Sequence, residues 1–178
     1  SMKAHLLEEE LKAFEELYNR GFLDTEEKKN VYSYFLFACY TGLRHSDINK
    51  LKFRDIVIIK DKKCINLKMQ KTKEIVTIPL IGKAKNLIGR YKGKDELVFD
   101  SYYNAKTNKV LRGLIADARI DKHITFHSAR HTFGTIAYNL GMPLGVIQKL
   151  MGHKNYKETL IYSKILDKTL FKEMEKME

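Results

Sequence analysis

Apolar positions recur at helical spacing from the start of the chain. Leu6, Leu7, Leu11, Phe14, Leu17 and Tyr18 share one face of residues 5–19, with glutamates opposite, which predicts an amphipathic helix ended by Gly21. Asp24-Thr25-Glu26-Glu27 carries the acids of a helix start, and Val31, Tyr34, Phe35, Phe37 and Ala38 continue it to about Thr41 as a core helix. Gly42 supplies a left-handed stop. Ser46 is placed to cap a short helix through Leu51, leaving Arg44 in the turn between two helices, held by Leu43 and Ile48. The period then becomes alternating. Ile56–Ile59, Ile65–Met69 and Ile75–Ile78 read as strands, turned at Asp61-Lys62-Lys63 and at Gln70–Glu74 and ended by Pro79. Helical spacing returns over residues 81–91, and Leu97-Val98-Phe99 is a short extended piece. A helix from about Asn104 to Ala118 turns Val110, Leu111, Leu114 and Ile115 inward.

The last third predicts four helices. Ser128 caps one whose buried side is Phe133, Ile136, Ala137 and Leu140, ended by Gly141. Pro143 opens the next in its first turn, and it runs through Val146, Ile147 and Leu150 to Gly152. Another covers Tyr156 to Ser163, and the last runs from Asp167 to about Met177 with a stripe of Leu170, Phe171 and Met174. The expected class is therefore mainly α with a small antiparallel three-stranded sheet, an α+β fold in one domain over residues 1–178.

Charge changes this picture most. The formal net charge is +11 over 178 residues, which favours a polyanionic partner, nucleic acid first. An RNA-binding protein has only that charge behind it, since the strands show no aromatic stacking platform. Lys106, Lys109 and Arg112 offer either phosphate contacts or a solvated helix face. No apolar run is long enough for a membrane span, and no cleavable signal stands at the start. Cys39 and Cys64 lie far apart in apolar patterns and read as reduced core residues of a cytosolic protein. Ser1 before Met2 reads as a remnant of expression.

Candidate chemistry concentrates between Phe126 and Tyr162. His127 and Arg130 stand three apart, one turn along a helix, so an imidazole and a guanidinium face one anion together. No acidic residue lies between Phe126 and Lys157 to cancel the positive field. His153 and Tyr162 follow. Cations, imidazoles and one phenol suit a phosphodiester that is to be bound, stabilised and attacked. Each residue alone has an ordinary reading: Arg44 as a surface cation paired with Asp47, Lys71 as a solvated hairpin lysine, a lone His as structural.

Together the segments resemble the catalytic domain of tyrosine recombinases, the phage integrase family. They are Thr41-Gly42-Leu43-Arg44-His45-Ser46-Asp47-Ile48, Lys71-Thr72 ahead of Pro79, His127-Ser128-Ala129-Arg130-His131-Thr132-Phe133, Leu150-Met151-Gly152-His153, and Tyr162 nine residues after His153. Tyr156, only three residues after His153, departs from the family spacing. The resemblance implies a site-specific DNA recombinase or integrase that cuts and rejoins strands through a 3′-phosphotyrosine link. Arg44 and Arg130 would clamp the phosphate, and His127 and His153 would donate to it. His127 would help remove the phenol proton, and the two guanidinium groups would favour the phenolate of Tyr162. Lys71 would protonate the leaving 5′ oxygen from a mobile hairpin. Asp47 would orient the cations from behind, and His131 would brace the site. No metal or other cofactor is implied. Double-stranded DNA is the implied partner, with a tetramer on DNA for a full-length protein and a monomer for an isolated domain, in the bacterial cytoplasm at the nucleoid. The N-terminal DNA-clamping domain usual in the family is expected to be absent from this chain. Ala129 and Met151 stand where the family often has Leu, at packing positions. The alternatives are a non-catalytic DNA-binding module that keeps the fold and a type IB topoisomerase.

Overall fold

The computed structural model describes residues 3–163 and 167–178; the Ser1-Met2 pair lies outside them. Among the described residues the helices are α1 (Glu8–Glu15), α2 (Glu26–Thr41), α3 (His45–Ile48), α4 (Gly82–Leu87), α5 (Asn104–Asp117), α6 (Phe126–Asn139), α7 (Leu144–Met151) and α8 (Asp167–Glu175). The strands are β1 (Ile56–Ile59), β2 (Lys62–Lys68) and β3 (Ile75–Pro79), in one antiparallel sheet of order β1-β2-β3. The α+β class read from the pattern is the class found.

α2 is the centre. Val31, Tyr34, Phe35, Leu36, Phe37, Ala38 and Cys39 are all buried, so it is apolar nearly all round, as a helix with neighbours on every side must be. It packs against α4, α5 and α6. Phe126 of α6 meets Tyr34 with ring centroids 4.8 Å apart, and Phe14 of α1 meets Phe35 at 5.0 Å. A second, smaller cluster joins Ala137 of α6, Ile147 and Met151 of α7, and Tyr162. The candidate nucleophile thus sits in its own small apolar patch, apart from the main core.

The sheet is a ribbon beside α7, packed on it through β3. Its first turn is two residues, Lys60 and Asp61, both at positive φ, because Ile59 pairs directly with Lys62. β2 therefore starts earlier than its apolar pattern suggests.

Several boundaries differ from the pattern, for identifiable reasons. α1 begins at Glu8 because the chain before it is extended along α6, where the Leu6 amide donates to Thr132 Oγ1 at 2.9 Å. Leu7 and Tyr18 are consequently exposed. Thr25 caps α2, its side chain accepting the Lys28 amide. α3 is capped by Arg44 and ends at Ile48. α4 stops at Leu87, since the next residue is extended and Gly89 follows. Thr125 occupies the cap of α6, and Ser128 works from inside the first turn: its Oγ accepts the Thr125 amide at 3.1 Å. Leu140 is exposed, beyond the end of α6, and Pro143 is the residue before α7 rather than in its first turn. Tyr156–Ser163 is not an α-helix but two short 3₁₀ turns, Tyr156–Glu158 and Leu160–Ser163. The stripe of α8 is open, with Leu170, Phe171 and Met174 all exposed. Among the described residues no helix is long and apolar enough to cross a membrane.

Candidate active site

Arg130 binds the site together. Its guanidinium is buried, donating from Nη1 to the Gly42 carbonyl at 2.6 Å and from Nη2 to the Met151 carbonyl at 2.7 Å. Those carbonyls lie at the C-terminal ends of α2 and α7, where helices have unpaired acceptors and partial negative charge. One side chain of α6 thereby fixes the ends of two other helices. A guanidinium has five N–H groups, so after these two bonds it keeps donors for an anion. Glycines stand at both helix ends, each packed too closely on a neighbouring element for a side chain. Gly42 has φ +74°, and a Cβ on it would come within 2.7 Å of the Phe133 ring. Gly152 has φ +64°, and its Cβ would approach Val76 of β3 to 2.9 Å.

Arg44 leaves the turn after Gly42, as the sequence predicts. It is not paired with Asp47: its Nη1 rests 3.9 Å from Met69 Sδ. Among the described residues neither Arg44 nor Arg130 has an ion-pair partner. Burial holds Arg130 below its ordinary range, and Arg44 adds to this. Two mutually repelling cations without a carboxylate partner among the described residues favour an anion of more than one oxygen.

His153 is buried below the α7 terminus, its Nδ1 bonded to Thr159 Oγ1 at 2.7 Å. Desolvation, then Arg130 and Arg44, push it down to about 4, so it is neutral at physiological pH. His127, on the outer side of α6, is pushed to about 4 by desolvation and by the charges of Arg130, Lys3, Arg44 and Lys71. Lys71 is exposed at the β2–β3 turn, and its charge is felt at His127. The backbone of that turn is fastened: Met69 N donates to Glu74 O at 2.8 Å, Lys73 N to Met69 O at 3.0 Å, and Gln70 N to Asp47 Oδ1 at 2.8 Å. Reach at Lys71 therefore comes from its side chain. Asp47 is buried and spends its hydrogen bond on this turn, not on an arginine, although its charge is felt at Arg130.

Tyr162 departs from expectation in two respects. Its hydroxyl lies 3.2 Å from His131 Nδ1, so the imidazole on the phenol is His131 and not His127. Its phenol is pushed up to about 12 by burial, which outweighs the opposing pull of Arg130 and Arg44. The arginines act in the direction expected of them, but the resting side chain is a phenol. Sequence reasoning also passed over Thr159, which orients His153, and Gly134, which lies under the Tyr162 ring. Thr159 had no signal beyond its place between two site residues; Gly134, inside a helical pattern, was a visible irregularity. Among the described residues no cluster of His, Cys, Asp and Glu stands ready for a metal ion.

The model of the phage integrase family matches residues 4–169. The chain is 29% identical over 138 residues to tyrosine recombinase XerD of Listeria innocua, covering 70% of this chain and 46% of the relative. It is 26% identical over 160 residues to tyrosine recombinase XerA of Saccharolobus solfataricus, covering 88% and 53%. The chain thus spans about half the length of these relatives. In fold it is similar to the XerH site-specific recombinase bound to its difH substrate in a pre-cleavage complex, with a TM-score of 0.77 at 21% identity over 100% of this chain and 55% of the other. It is similar as well to the catalytic domain of bacteriophage HP1 integrase, with a TM-score of 0.68 at 17% identity over 97% and 94%. By sequence over most of its length and by fold over nearly all of it, this chain belongs to the phage integrase family.

Proposed function

We propose that the chain is the catalytic domain of a site-specific DNA recombinase or integrase, which breaks and rejoins strands through a covalent 3′-phosphotyrosine link. The observation that supports this reading is that Arg130 ties the end of α2, beside Arg44, to the end of α7, beside His153, while Tyr162 packs on Gly134 of the same helix as Arg130, and neither arginine has a carboxylate partner among the described residues. A phosphodiester entering there meets two planar forks whose donors neutralise its oxygens, and more strongly so as charge builds in the pentacoordinate transition state. His153 and His127, both neutral, donate further hydrogen bonds to it. Tyr162 attacks phosphorus, and the 5′ oxygen leaves with a proton from Lys71. Asp47 holds the turn that carries Lys71. The bond energy of the phosphodiester is kept in the phosphotyrosine, so rejoining needs no cofactor.

In this reading double-stranded DNA is the substrate and partner. Exchange between two duplexes takes four cleavages, hence four copies of the full-length protein. The enzyme works where DNA is, in the bacterial cytoplasm. A binding module that merely kept the fold would have no use for a buried phenol held on an imidazole near arginines that have no carboxylate partner among the described residues.

The test is a nicked suicide duplex that loses its short 5′ fragment on cleavage, run with a chelator present. A covalent protein–DNA adduct is expected, absent with Tyr162→Phe. An adduct that persists in Tyr162→Phe refutes the nucleophile, and no adduct under any condition refutes the activity.

A further inference from the structure

The attacking oxygen must lose a proton, and the group in contact with it is His131. Tyr162 Oη lies 3.2 Å from His131 Nδ1, both side chains buried. The ring of Tyr162 reaches this position because Gly134, one turn further along α6, presents no side chain: a Cβ there would fall 2.6 Å from Tyr162 Cε1. His127 stands behind His131, edge to face, with ring centroids 4.9 Å apart. His131 Nε2 is buried and has no hydrogen-bond partner among the described residues. A neutral imidazole has one bare nitrogen and one N–H. With the phenol donating to Nδ1, the N–H is on Nε2, and Nδ1 is free to take a proton along the bond that already exists.

We propose that His131 is the base that receives the Tyr162 proton during cleavage, an assignment that rests on the DNA-cleaving reading above. The Oη–H bond breaks and its proton passes to His131 Nδ1. The electron pair left on Oη forms the bond to phosphorus. The bond from phosphorus to the 5′ oxygen breaks, its pair leaves with that oxygen, and Lys71 supplies the proton there. In rejoining the steps reverse, and His131 returns its proton to the departing phenol.

The surroundings make this transfer depend on substrate. Burial, with the charges of His127 and Arg130 on α6 and of Lys3 and His5 on the extended N-terminal segment, pushes His131 down to about 4. Tyr162 stands at about 12, so without DNA the proton stays on the phenol. A phosphate held by Arg44 and Arg130 brings the negative charge that offsets this cationic field. It raises His131 and lowers the barrier only when the scissile group is in place.

His131→Asn tests this, because its amide can still bond the hydroxyl but cannot take a proton at neutral pH. Single-turnover adduct formation is expected to fall by about 10²–10⁴-fold, with DNA affinity unchanged. The residual rate is expected to climb about tenfold per pH unit above neutrality, as the phenol must ionise unaided. A duplex with sulfur in place of the 5′ bridging oxygen needs no proton on its leaving group. It should restore Lys71→Ala and leave His131→Asn slow. His131→Asn cleaving within about threefold of wild type overturns the proposal, as does its rescue by the sulfur substrate, or the steep pH climb appearing in His127→Asn instead. An independent measurement needs no variant to fold: ¹⁵N-histidine NMR of the unmodified chain should show His131 with its proton on Nε2, and a proton on Nδ1 overturns the assignment. If wild type forms no adduct, the cleavage reading and this proposal fall together; if it does and His131→Asn matches it, only the proposal falls.

Discussion

Arg130 carries two burdens that Arg44 does not share, and the difference is measurable before any DNA is added. Truncating Arg130→Ala removes two short bonds from a charged donor, to the carbonyls of Gly42 and Met151. Bonds of that kind contribute about 1.5–3 kcal/mol each. Two such losses total about 3–6 kcal/mol, with the carbonyls left in a space where Arg130 is only 3% exposed. Relief of the repulsion from Arg44 and of the buried cation's desolvation offsets part of this, so the lower end, about 3 kcal/mol, is expected. That is a large share of the stability of a domain of this size, and it corresponds to a fall in Tm of about 6–12 °C. Arg44→Ala removes only a long contact to the Met69 sulfur from a half-buried side chain. Its cost is below about 1 kcal/mol. Both variants lose cleavage by at least about 10²-fold, since each takes a donor from the transition state. Urea and thermal unfolding of the DNA-free chain, beside single-turnover cleavage of the suicide duplex, give both quantities. Equal stability losses in the two variants would refute the assignment of Arg130 as the tie between α2 and α7. Arg130→Lys, which keeps the charge but cannot bond both carbonyls along the same fork, should fall between them.

Two further expectations concern the support of the site. Asp47→Ala removes the acceptor of the Gln70 amide; hydrogen exchange should then show that amide losing protection, and cleavage of an ordinary duplex should slow more than cleavage of the sulfur-leaving-group duplex, which does not need Lys71. Stability should also depend on pH through the buried imidazoles: His131 and His153 stand near 4 when folded and about 6.5 when unfolded, so the unfolded chain takes up protons first, and their contribution is full above about 6.5 and lost as pH falls toward 4. Urea unfolding of Tyr162→Phe at pH 7.5, 6 and 5 measures this slope, and a flat profile would contradict the burial of the two imidazoles.

The sequence made the scaffold readable where one physical signal dominated. α2 announced itself by a helix start at Asp24-Thr25-Glu26-Glu27, an apolar run and Gly42, and the structure follows that to the residue at its C-terminal end. The order of helices and strands, and the placement of Arg44 in a turn, followed from the same signals. What failed was decided by distant partners. Leu7 and Leu140 have the spacing of core residues but lie exposed, because α1 starts late and α6 stops early. Tyr156–Ser163 has helical residues, yet Asn155 caps a tight turn and Thr159 is held by His153, which breaks the segment in two. At the site, spacing set His127 and Arg130 on one anion, and the family resemblance added the other residues and the second arginine. Neither revealed that Asp47 bonds a strand turn or that the phenol meets His131. No local pattern encodes such pairings, since residues 47 and 70, or 131 and 162, meet only through the packing of several elements.

The tie through Arg130 also explains why the site can be both buried and ready. A cation without a carboxylate partner is costly to bury, and here the cost is met by helix-end carbonyls, which are themselves short of donors. Those acceptors carry partial charge only, so they hold the guanidinium in place without neutralising it. A carboxylate in the same position would have held Arg130 more strongly and cancelled the field that a phosphate needs. Positioning by dipoles leaves the full charge for an anion, and desolvation, with that uncancelled charge added, keeps His127 and His153 neutral and therefore able to donate. The fold thus stores the site's electrostatics in the ends of α2 and α7, and any change that moves either end should weaken phosphate stabilisation even where no site side chain is altered.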